Sequence, residues 1–316
     1  MVPPRSNFAL ARPFLKWAGG KGKLLERFSD YFPKALADGS IHSYFEPFLG
    51  GGAVFFHVMQ KYPVKKAYLR DANPELVLSY QVVQKDVEAL IVQLGQMERL
   101  YLKLPESGRL KRFLKVRSDL NRALAGMDFQ KYSSAWVERC AQILFLNKTC
   151  YNGLFRVNSK GWFNVPFGRY VNPAILNQET LRKASTLLAK AEIRQGDFGE
   201  LLKEQARIKT GSFIYYDPPY RPISATASFT AYSKGAFGDA EQKRLAQMFH
   251  ALDRRGVYQM LSNSDPKNTD PTDDFFEDIY SDYQDRFFRV SASRNINAKG
   301  SSRGPINEIV ITSYKV

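Results

Sequence analysis

Two cysteines and three histidines leave this chain little material for a metal centre or a disulfide framework. Cys140 and Cys150 fall in an apolar and aromatic stretch, and no His-x-x-His spacing joins His42, His57 or His250. They do not supply a four-ligand zinc site unaided, so no metal is expected, and both thiols are expected to be reduced and structural. No uninterrupted apolar run approaches the roughly 18 residues of a membrane-spanning helix. Residues Met1 to Phe14 lack the apolar core and small-residue cleavage site of a secretory leader. Repeats of solenoid period and low-complexity tracts are missing too. These absences leave a globular chain, expected in the cytoplasm and away from membranes, whose chemistry must come from elsewhere.

Acidic residues are also scarce, with 31 Asp and Glu against 46 Lys and Arg, a net charge of +15 over 316 residues. Such an excess repels itself in the folded state, and a polyanionic partner is its natural explanation. The charge is concentrated. Arg99, Lys103, Arg109, Lys111, Arg112, Lys115, Arg117 and Arg122 are opposed by Glu106 and Asp119 alone. From Lys131 to Asn172, Lys131, Arg139, Lys148, Arg156, Lys160 and Arg169 face Glu138. The middle of the chain therefore carries a strong positive field.

Short apolar runs bounded by turn signals read as buried strands at Ser43–Phe48, Lys66–Asp71, Glu192–Gln195, Ser212–Asp217, Gly256–Asn263, Asp285–Val290 and Glu308–Tyr314. Helical patterns at Leu24–Tyr31, Ala53–Lys61, Gln178–Ala191 and Asp239–Asp253 separate many of them. That alternation predicts an α/β sheet with helices on both faces. From about Pro74 to Asn172 the alternation stops. Helical patterns at Leu76–Gln93, Leu110–Leu124 and Ser134–Leu146 lead into the aromatic stretch Tyr151–Tyr170, where Asn158–Gly161 reads as a hairpin turn. This interval is expected to be a basic, mostly helical insertion, residues 76–172, in a catalytic domain formed by residues 1–75 and 173–316.

Phe45-Glu46-Pro47-Phe48-Leu49-Gly50-Gly51-Gly52 follows a predicted strand and opens a helix. Glycines there let the backbone approach a ligand. Asp71 ends the next strand about 20 residues on, where an acidic side chain typically accepts from ribose hydroxyls. Several dinucleotide enzymes share that pattern, which leaves the cofactor open. Two further segments narrow it. Phe14–Lys21 offers the indole of Trp17, a double glycine and the ammonium of Lys21, suited to wall a pocket and pair with a carboxylate. Tyr215-Tyr216-Asp217-Pro218-Pro219-Tyr220 ends the fourth strand. Its prolines stop the ladder. Asp217 and the Pro218 carbonyl present two acceptors with no competing backbone donor at Pro218, which suits both hydrogens of an exocyclic amine. Tyr220 adds a face on which a planar base can stack.

With Phe14–Lys21, Phe45–Gly52, Asp71-Ala72-Asn73, Tyr151–Tyr170, Asp217–Tyr220, Ser224–Tyr232 and Ile306–Tyr314 in this order and spacing, the sequence resembles the class α adenine-N6 DNA methyltransferases, particularly the Dam-like enzymes of the D12 class. The resemblance covers most of the chain. It implies a Rossmann-like seven-stranded α/β methyltransferase sheet, S-adenosyl-L-methionine as methyl donor, and no metal. It places Trp17, Lys21, Glu46, Phe48, Gly50, Asp71, Asp197, Phe198 and Asp217 at the cofactor, and Asp217, Pro218, Pro219 and Tyr220 at the flipped adenine. The insertion becomes a target-recognition domain reading GATC, with Tyr151, Asn152, Leu154, Arg156, Pro166 and Arg169 against DNA. Arg156 is the leading base reader, since guanidinium donors fit guanine O6 and N7. The implied partners are double-stranded DNA at the nucleoid and, if the enzyme serves restriction–modification, a cognate restriction endonuclease. The Asp-Pro-Pro-Tyr turn recognises an amine and does not by itself distinguish adenine from cytosine, or DNA from RNA. A non-catalytic DNA-binding regulator on the same scaffold is the other reading; intact Trp17, Lys21, Asp71 and Asp217 argue against it.

Overall fold

Every run read as a strand forms one in the computed structural model, which describes residues 10–204, 206–221, 237–292 and 306–316. The strands are β1 (Ser43–Glu46), β2 (Lys66–Asp71), β3 (Ala191–Gln195), β4 (Ser212–Tyr216), β5 (Tyr258–Ser264), β6 (Phe287–Ala292) and β7 (Ile306–Thr312). The expected segment Ser224–Tyr232 lies outside the described residues. Helices intervene as α1 (Leu25–Ser29), α2 (Lys34–Ala37), α3 (Ala53–Lys61), α4 (Pro74–Lys85), α5 (Val87–Leu102), α6 (Glu106–Ala123), α7 (Ala135–Thr149), α8 (Gln178–Leu188), α9 (Asp239–Asp253) and α10 (Phe275–Ile279). Among the described residues no helix is long and apolar enough to cross a membrane.

Two compact units divide the chain. One holds Gly19–Gly50, Tyr62–Val77 and Ala191–Val316, and with them the whole sheet. The other holds Met1–Ala18, Gly51–Lys61 and Leu78–Lys190 and is mostly helical.

The seven strands pair in the order β3-β2-β1-β4-β5-β7-β6. β1 to β5 run parallel, and β7 is antiparallel to both β5 and β6. The chain leaves β1 toward β2 and β3, and later leaves β4 toward β5. The carboxyl ends of β1 and β4 therefore flank a topological switch point, where open α/β sheets bind their ligands. Because β7 is reversed, its first residues meet the same edge: Ser264 at the end of β5 pairs with Glu308. Pro47 and Pro218 have no N–H to donate, so β1 and β4 end at Glu46 and Tyr216. Asp217 is left just beyond the ladder.

Alternation sorts the side chains of this sheet into two cores. Phe45, Ile214, Tyr216, Leu261, Ile309 and Ile311 pack with Leu245, Ala246, Met248, Phe249 and Leu252 of α9. On the opposite face Phe213 meets Tyr44, and Phe32 between α1 and α2, edge-on and tilted at 5.7–5.8 Å. The expectation of cover on both faces is met within this unit.

In the helical unit α7 is buried almost all round, from Trp136 to Thr149, and forms its core. The single helical pattern at Leu76–Gln93 is two helices. Asp86 leaves helical geometry (φ −134°, ψ 41°) and its carbonyl starts α5 through the N–H of Leu90. A sequence period cannot register such a break when apolar spacing continues across it. α6 buries Phe113, Val116 and Leu120, half-buries Arg109, Arg112 and Arg117, and leaves Lys111, Lys115 and Arg122 exposed, the last two by more than 60% of their side chains. The hairpin turn lies where the sequence places it. Asn158 receives the N–H groups of Lys160 and Trp162 on its side chain, and Val157 bridges Phe163. Asn121 of α6 clasps the strand beyond it, accepting from the Phe163 N–H at 2.8 Å and donating to its carbonyl at 3.1 Å. Both cysteines are buried and unbridged, and burial pushes the Cys150 thiol up to about 11.

Phe249 is fully buried and meets Tyr216, Tyr280 and Tyr283 with ring centroids 5.1–6.0 Å apart. Phe249→Ala is expected to cost about 3–5 kcal/mol of stability. Urea unfolding measures this loss; a cost below about 1 kcal/mol contradicts the assigned core, far under the range for buried aromatics.

Candidate active site

Lys21 belongs to a short 3-10 turn, Lys21–Lys23, and is only 3% exposed. An ammonium taken out of water needs close acceptors. Lys21 Nζ has three: Asp217 Oδ1 at 2.9 Å, Tyr220 Oη at 2.9 Å and Glu308 Oε2 at 3.4 Å. Burial works against its charge, but Asp217, Tyr220 and Glu308 overcome that penalty and raise its pKa well above the usual range. Burial also pushes Asp217 up, to about 6, with Lys21 opposing the rise and Glu308 adding to it. Asp217 is thus a carboxylate at neutral pH, and its side chain keeps about a fifth of its surface open, at 19%. Ser262 of β5 approaches the same oxygen at 3.4 Å and bonds the Tyr215 hydroxyl at 2.7 Å.

Tyr220 has two distinct ends. Its residue surface is 41% exposed, while its hydroxyl donates to Glu308 Oε1 at 2.5 Å. Burial, opposed by Lys21 and reinforced by Glu308, raises that hydroxyl far above the ordinary phenol, so it stays a donor. The residue therefore reaches solvent while its hydroxyl edge is fixed. The turn carrying these groups is held on both sides. Gln242 of α9 donates to the Pro219 carbonyl at 3.1 Å. Arg221 pairs with Asp239 at 2.7 Å and Asp273 at 2.5 Å, with its guanidinium 4.2 Å from the Phe275 ring centroid.

Along the same edge, Asp71 braces the glycine loop. Its Oδ2 accepts the Gly50 N–H at 2.9 Å and its Oδ1 the Asn73 N–H at 2.9 Å. Burial raises its pKa, and these backbone donors hold the rise back. Gly50 has φ +48°, a left-handed conformation costly to a side chain. Glu46 is buried at 2% and accepts from the Tyr44 hydroxyl at 2.8 Å. Phe48 packs on Phe198 at 5.2 Å and Phe237 at 5.5 Å. Asp197 is half exposed and bound bidentately by Arg244 of α9, at 2.6 and 2.8 Å. This pairing holds its carboxyl below the usual range, while the guanidinium sits 4.0 Å from the Phe198 ring centroid. The sheet unit thus brings Lys21, Glu46, Phe48, Gly50, Asp71, Asp197, Phe198, Asp217, Pro218, Pro219 and Tyr220 to one edge or the loops beyond it.

Trp17 belongs to the helical unit and stacks on Phe155 at 5.1 Å and 24°. Asn147, 2% exposed, fixes the chain on either side of that stack. It accepts from the Lys16 N–H at 2.8 Å and donates to the carbonyls of Lys16 at 2.9 Å and Gly153 at 2.8 Å. Gly153 has φ +65°, and a Cβ there would lie 2.4 Å from Lys16 Cδ and 3.2 Å from the Asn147 carbonyl oxygen. The chain leaving this clasp presents Tyr151, Asn152, Arg156, Pro166 and Arg169 as exposed residues, with Leu154 partly covered. Asn152 and Arg169 have φ near +55°, and the Asn152 N–H donates to the Tyr170 hydroxyl. Arg156 Nε donates to Asn164 Oδ1 at 2.8 Å and its Nη2 to the Asn164 carbonyl at 3.4 Å, which ties the exposed guanidinium to the hairpin.

Sequence reasoning did not find Glu308, Gln242, Arg221, Arg244 or Asn147. Glu308 alone left a local signal, as an acid opening the apolar run Ile309–Ile311.

These features agree with the comparisons. The sequence profile of the D12 class N6 adenine-specific DNA methyltransferases matches residues 17–296, so the chain belongs to that family. It is 45% identical over 304 residues to the Type II methyltransferase M.MjaIII of Methanocaldococcus jannaschii, covering 96% of this chain and 99% of that one. It is 37% identical to the Type II methyltransferase M1.LlaDCHI of Lactococcus lactis subsp. cremoris, covering 96% and 95%. It is 30% identical to the DNA adenine methylase of Escherichia coli strain K12, covering 95% and 94%.

Replacing Asn147 with leucine, which has similar volume and no polar atoms, removes three hydrogen bonds, one buried and two partly buried. Asn147→Leu is expected to lose roughly 3 kcal/mol, at about 1 kcal/mol per bond. The urea midpoint reads this loss, and an unchanged midpoint contradicts the clasp.

Proposed function

We propose that this chain transfers the methyl group of S-adenosyl-L-methionine to N6 of an adenine rotated out of duplex DNA, within GATC. The observation that carries this reading is Asp217, paired with Lys21 and partly open at the sheet's switch point beside a Tyr220 ring whose hydroxyl is anchored. The donor set suits the cofactor. Asp71 offers a carboxylate for ribose hydroxyls, partly exposed Phe48 offers an apolar face for a purine with buried Phe198 packed behind it, and Asp197 lies at the same loop. One ammonium against the carboxylates of Asp217 and Glu308 leaves this cluster one negative charge, complementary to a sulfonium. When bound, the cofactor would supply an electrophilic methyl, whose bond to sulfur breaks as its bond to the amine nitrogen forms, the displaced amine proton passing to water.

The protein must supply access, orientation and charge. A paired base is unreachable inside the duplex, and extruding it costs a few kcal/mol. Stacking on Tyr220, at roughly 1–3 kcal/mol per base, and phosphate contacts from the basic helices offset that cost. The adenine amine is a weak nucleophile because its lone pair is delocalised into the ring. Acceptance of its hydrogens by Asp217 and the Pro218 carbonyl holds them out of the ring plane and directs the lone pair at the methyl. Positioning and electrostatics then provide most of the rate. Target recognition is assigned to residues 76–172. There Arg156 reads guanine, Tyr151 fills the gap left by the base, and Asn152, Leu154, Pro166 and Arg169 line the DNA. The Type II names of two relatives extend the proposal to a cognate restriction endonuclease as a biological partner.

Purified protein with methyl-labelled cofactor and duplex DNA is expected to yield N6-methyladenine on nucleoside digestion; label in N4-methylcytosine, in RNA, or nowhere contradicts the proposal. In the same assay Asp217→Ala is expected to lower turnover about 100-fold or more while keeping nonspecific DNA binding, and a rate above about a tenth of wild type contradicts its role. Arg156→Ala is expected to lose about 1–3 kcal/mol of discrimination at one base pair of the site. Sequencing of methylated substrate libraries measures this, and an unaltered motif opposes the assignment.

A further inference from the structure

Glu308 enters the proposed reaction only through its charge, yet it is placed among the reacting groups. It opens the apolar run of β7 at the carboxyl edge of the sheet and is 4% exposed. A buried carboxylate is retained at such a place when paired and hydrogen-bonded. Only half of this one is. Oε1 receives the Tyr220 hydroxyl at 2.5 Å, whereas Oε2 is buried with no hydrogen-bond partner among the described residues, 3.4 Å from Lys21 Nζ. The ammonium instead bonds Asp217 Oδ1 at 2.9 Å.

That arrangement creates a conflict for the proposed reaction. Asp217 has to offer its oxygens to an incoming amine, and Oδ1 is held by a charge-assisted bond to Lys21. The open oxygen of Glu308 resolves it. A movement of Nζ by roughly 0.5 Å brings the Lys21–Glu308 separation to ordinary hydrogen-bond length. The ammonium keeps Tyr220 as its other acceptor, and no charge is left buried alone. The move loosens the hold on Asp217 while Tyr220 stays pinned through Oε1.

We propose that Glu308 is a positioning residue: it receives the Lys21 ammonium as the target amine enters, releasing Asp217, and it holds the Tyr220 ring at the stacking position throughout. The inference rests on the reading of Asp217 as amine acceptor. The ionisable groups around Asp217 are Lys21, Glu308, Tyr220 and Tyr215, with Tyr44 and Glu46 beyond them on the same face of the sheet. Of the two carboxylates close to Asp217, Glu308 is the one bonded to Tyr220 and in reach of Lys21.

The test is steady-state methylation of duplex DNA by wild type, Glu308→Gln, Tyr220→Phe and the double variant, with urea midpoints recorded for each. Glu308→Gln keeps an acceptor for Tyr220 but loses the charge that attracts Lys21. Its kcat is expected to fall about 10- to 100-fold, the scale of a misplaced reacting group. Its KM for the methyl donor is expected to change by less than about threefold, since the loss falls on the chemical step. The acidic limb of kcat/KM, set by Asp217, is expected to move to lower pH, because the negative charge of Glu308 raises Asp217. A merely structural glutamate would not move that limb. The double variant is expected to be no slower than the slower single, because both break one linked arrangement. Wild-type kcat with an unmoved limb in Glu308→Gln, or fully additive losses, overturns the inference. If Glu308→Gln does not fold, Tyr220→Phe decides: a folded protein with wild-type kcat overturns it, and reduced kcat at unchanged donor KM supports it. A wild type that puts no methyl into DNA defeats the broader reading, and this one with it.

Discussion

One buried ammonium organises the edge of the sheet. Lys21 has lost its water and is compensated by two carboxylates and a phenol, so removing any of these groups costs the ammonium an acceptor. The topology is what makes the cluster attainable. Parallel β4 ends at the edge through Pro218 and delivers Asp217 there, while reversed β7 begins at that edge and delivers Glu308. Had β7 run parallel, its acid would lie at the far end of the sheet. The antiparallel strand thus completes an electrostatic site that five parallel strands could not close alone.

Around that cluster, rigidity is supplied by contacts of modest individual strength. Gln242 and Arg221 fix the turn that carries Pro219 and Tyr220, and Arg244 fixes Asp197 over the Phe198 ring. Several of these ion pairs are partly exposed and contribute little to stability singly. Their use is geometric: each ties a loop beyond the sheet edge to α9 or its neighbours, which are anchored in the apolar core. In the helical unit Asn147 does the same work for Trp17 and for the start of the hairpin stretch. There the chain takes a left-handed turn at Asn152 and Gly153.

The strands, the glycine loop, Lys21, Asp71 and the Asp217 turn could be read from sequence because each is a local signal. A strand is a short run of apolar residues, and the turn is four residues whose chemistry is visible side by side. The partnerships of the supporting residues left no such signal. Glu308 lies 91 positions beyond Asp217 and 287 beyond Lys21, so its partnership exists only once β7 has paired with β5. Arg244 looks like any basic residue on an amphipathic helix until it is found on Asp197. Asp86 shows the converse failure. Apolar spacing runs on through it, so periodicity joins α4 and α5 into one helix where the backbone makes two.

The most direct test of this account is a crystal structure of the protein with duplex DNA containing its target and S-adenosylhomocysteine. The account requires an everted adenine with its N6 within hydrogen-bond distance of the Asp217 carboxylate and its ring on Tyr220. An Asp217 still closed off by Lys21, with the base stacked in the helix or bound elsewhere, would contradict it.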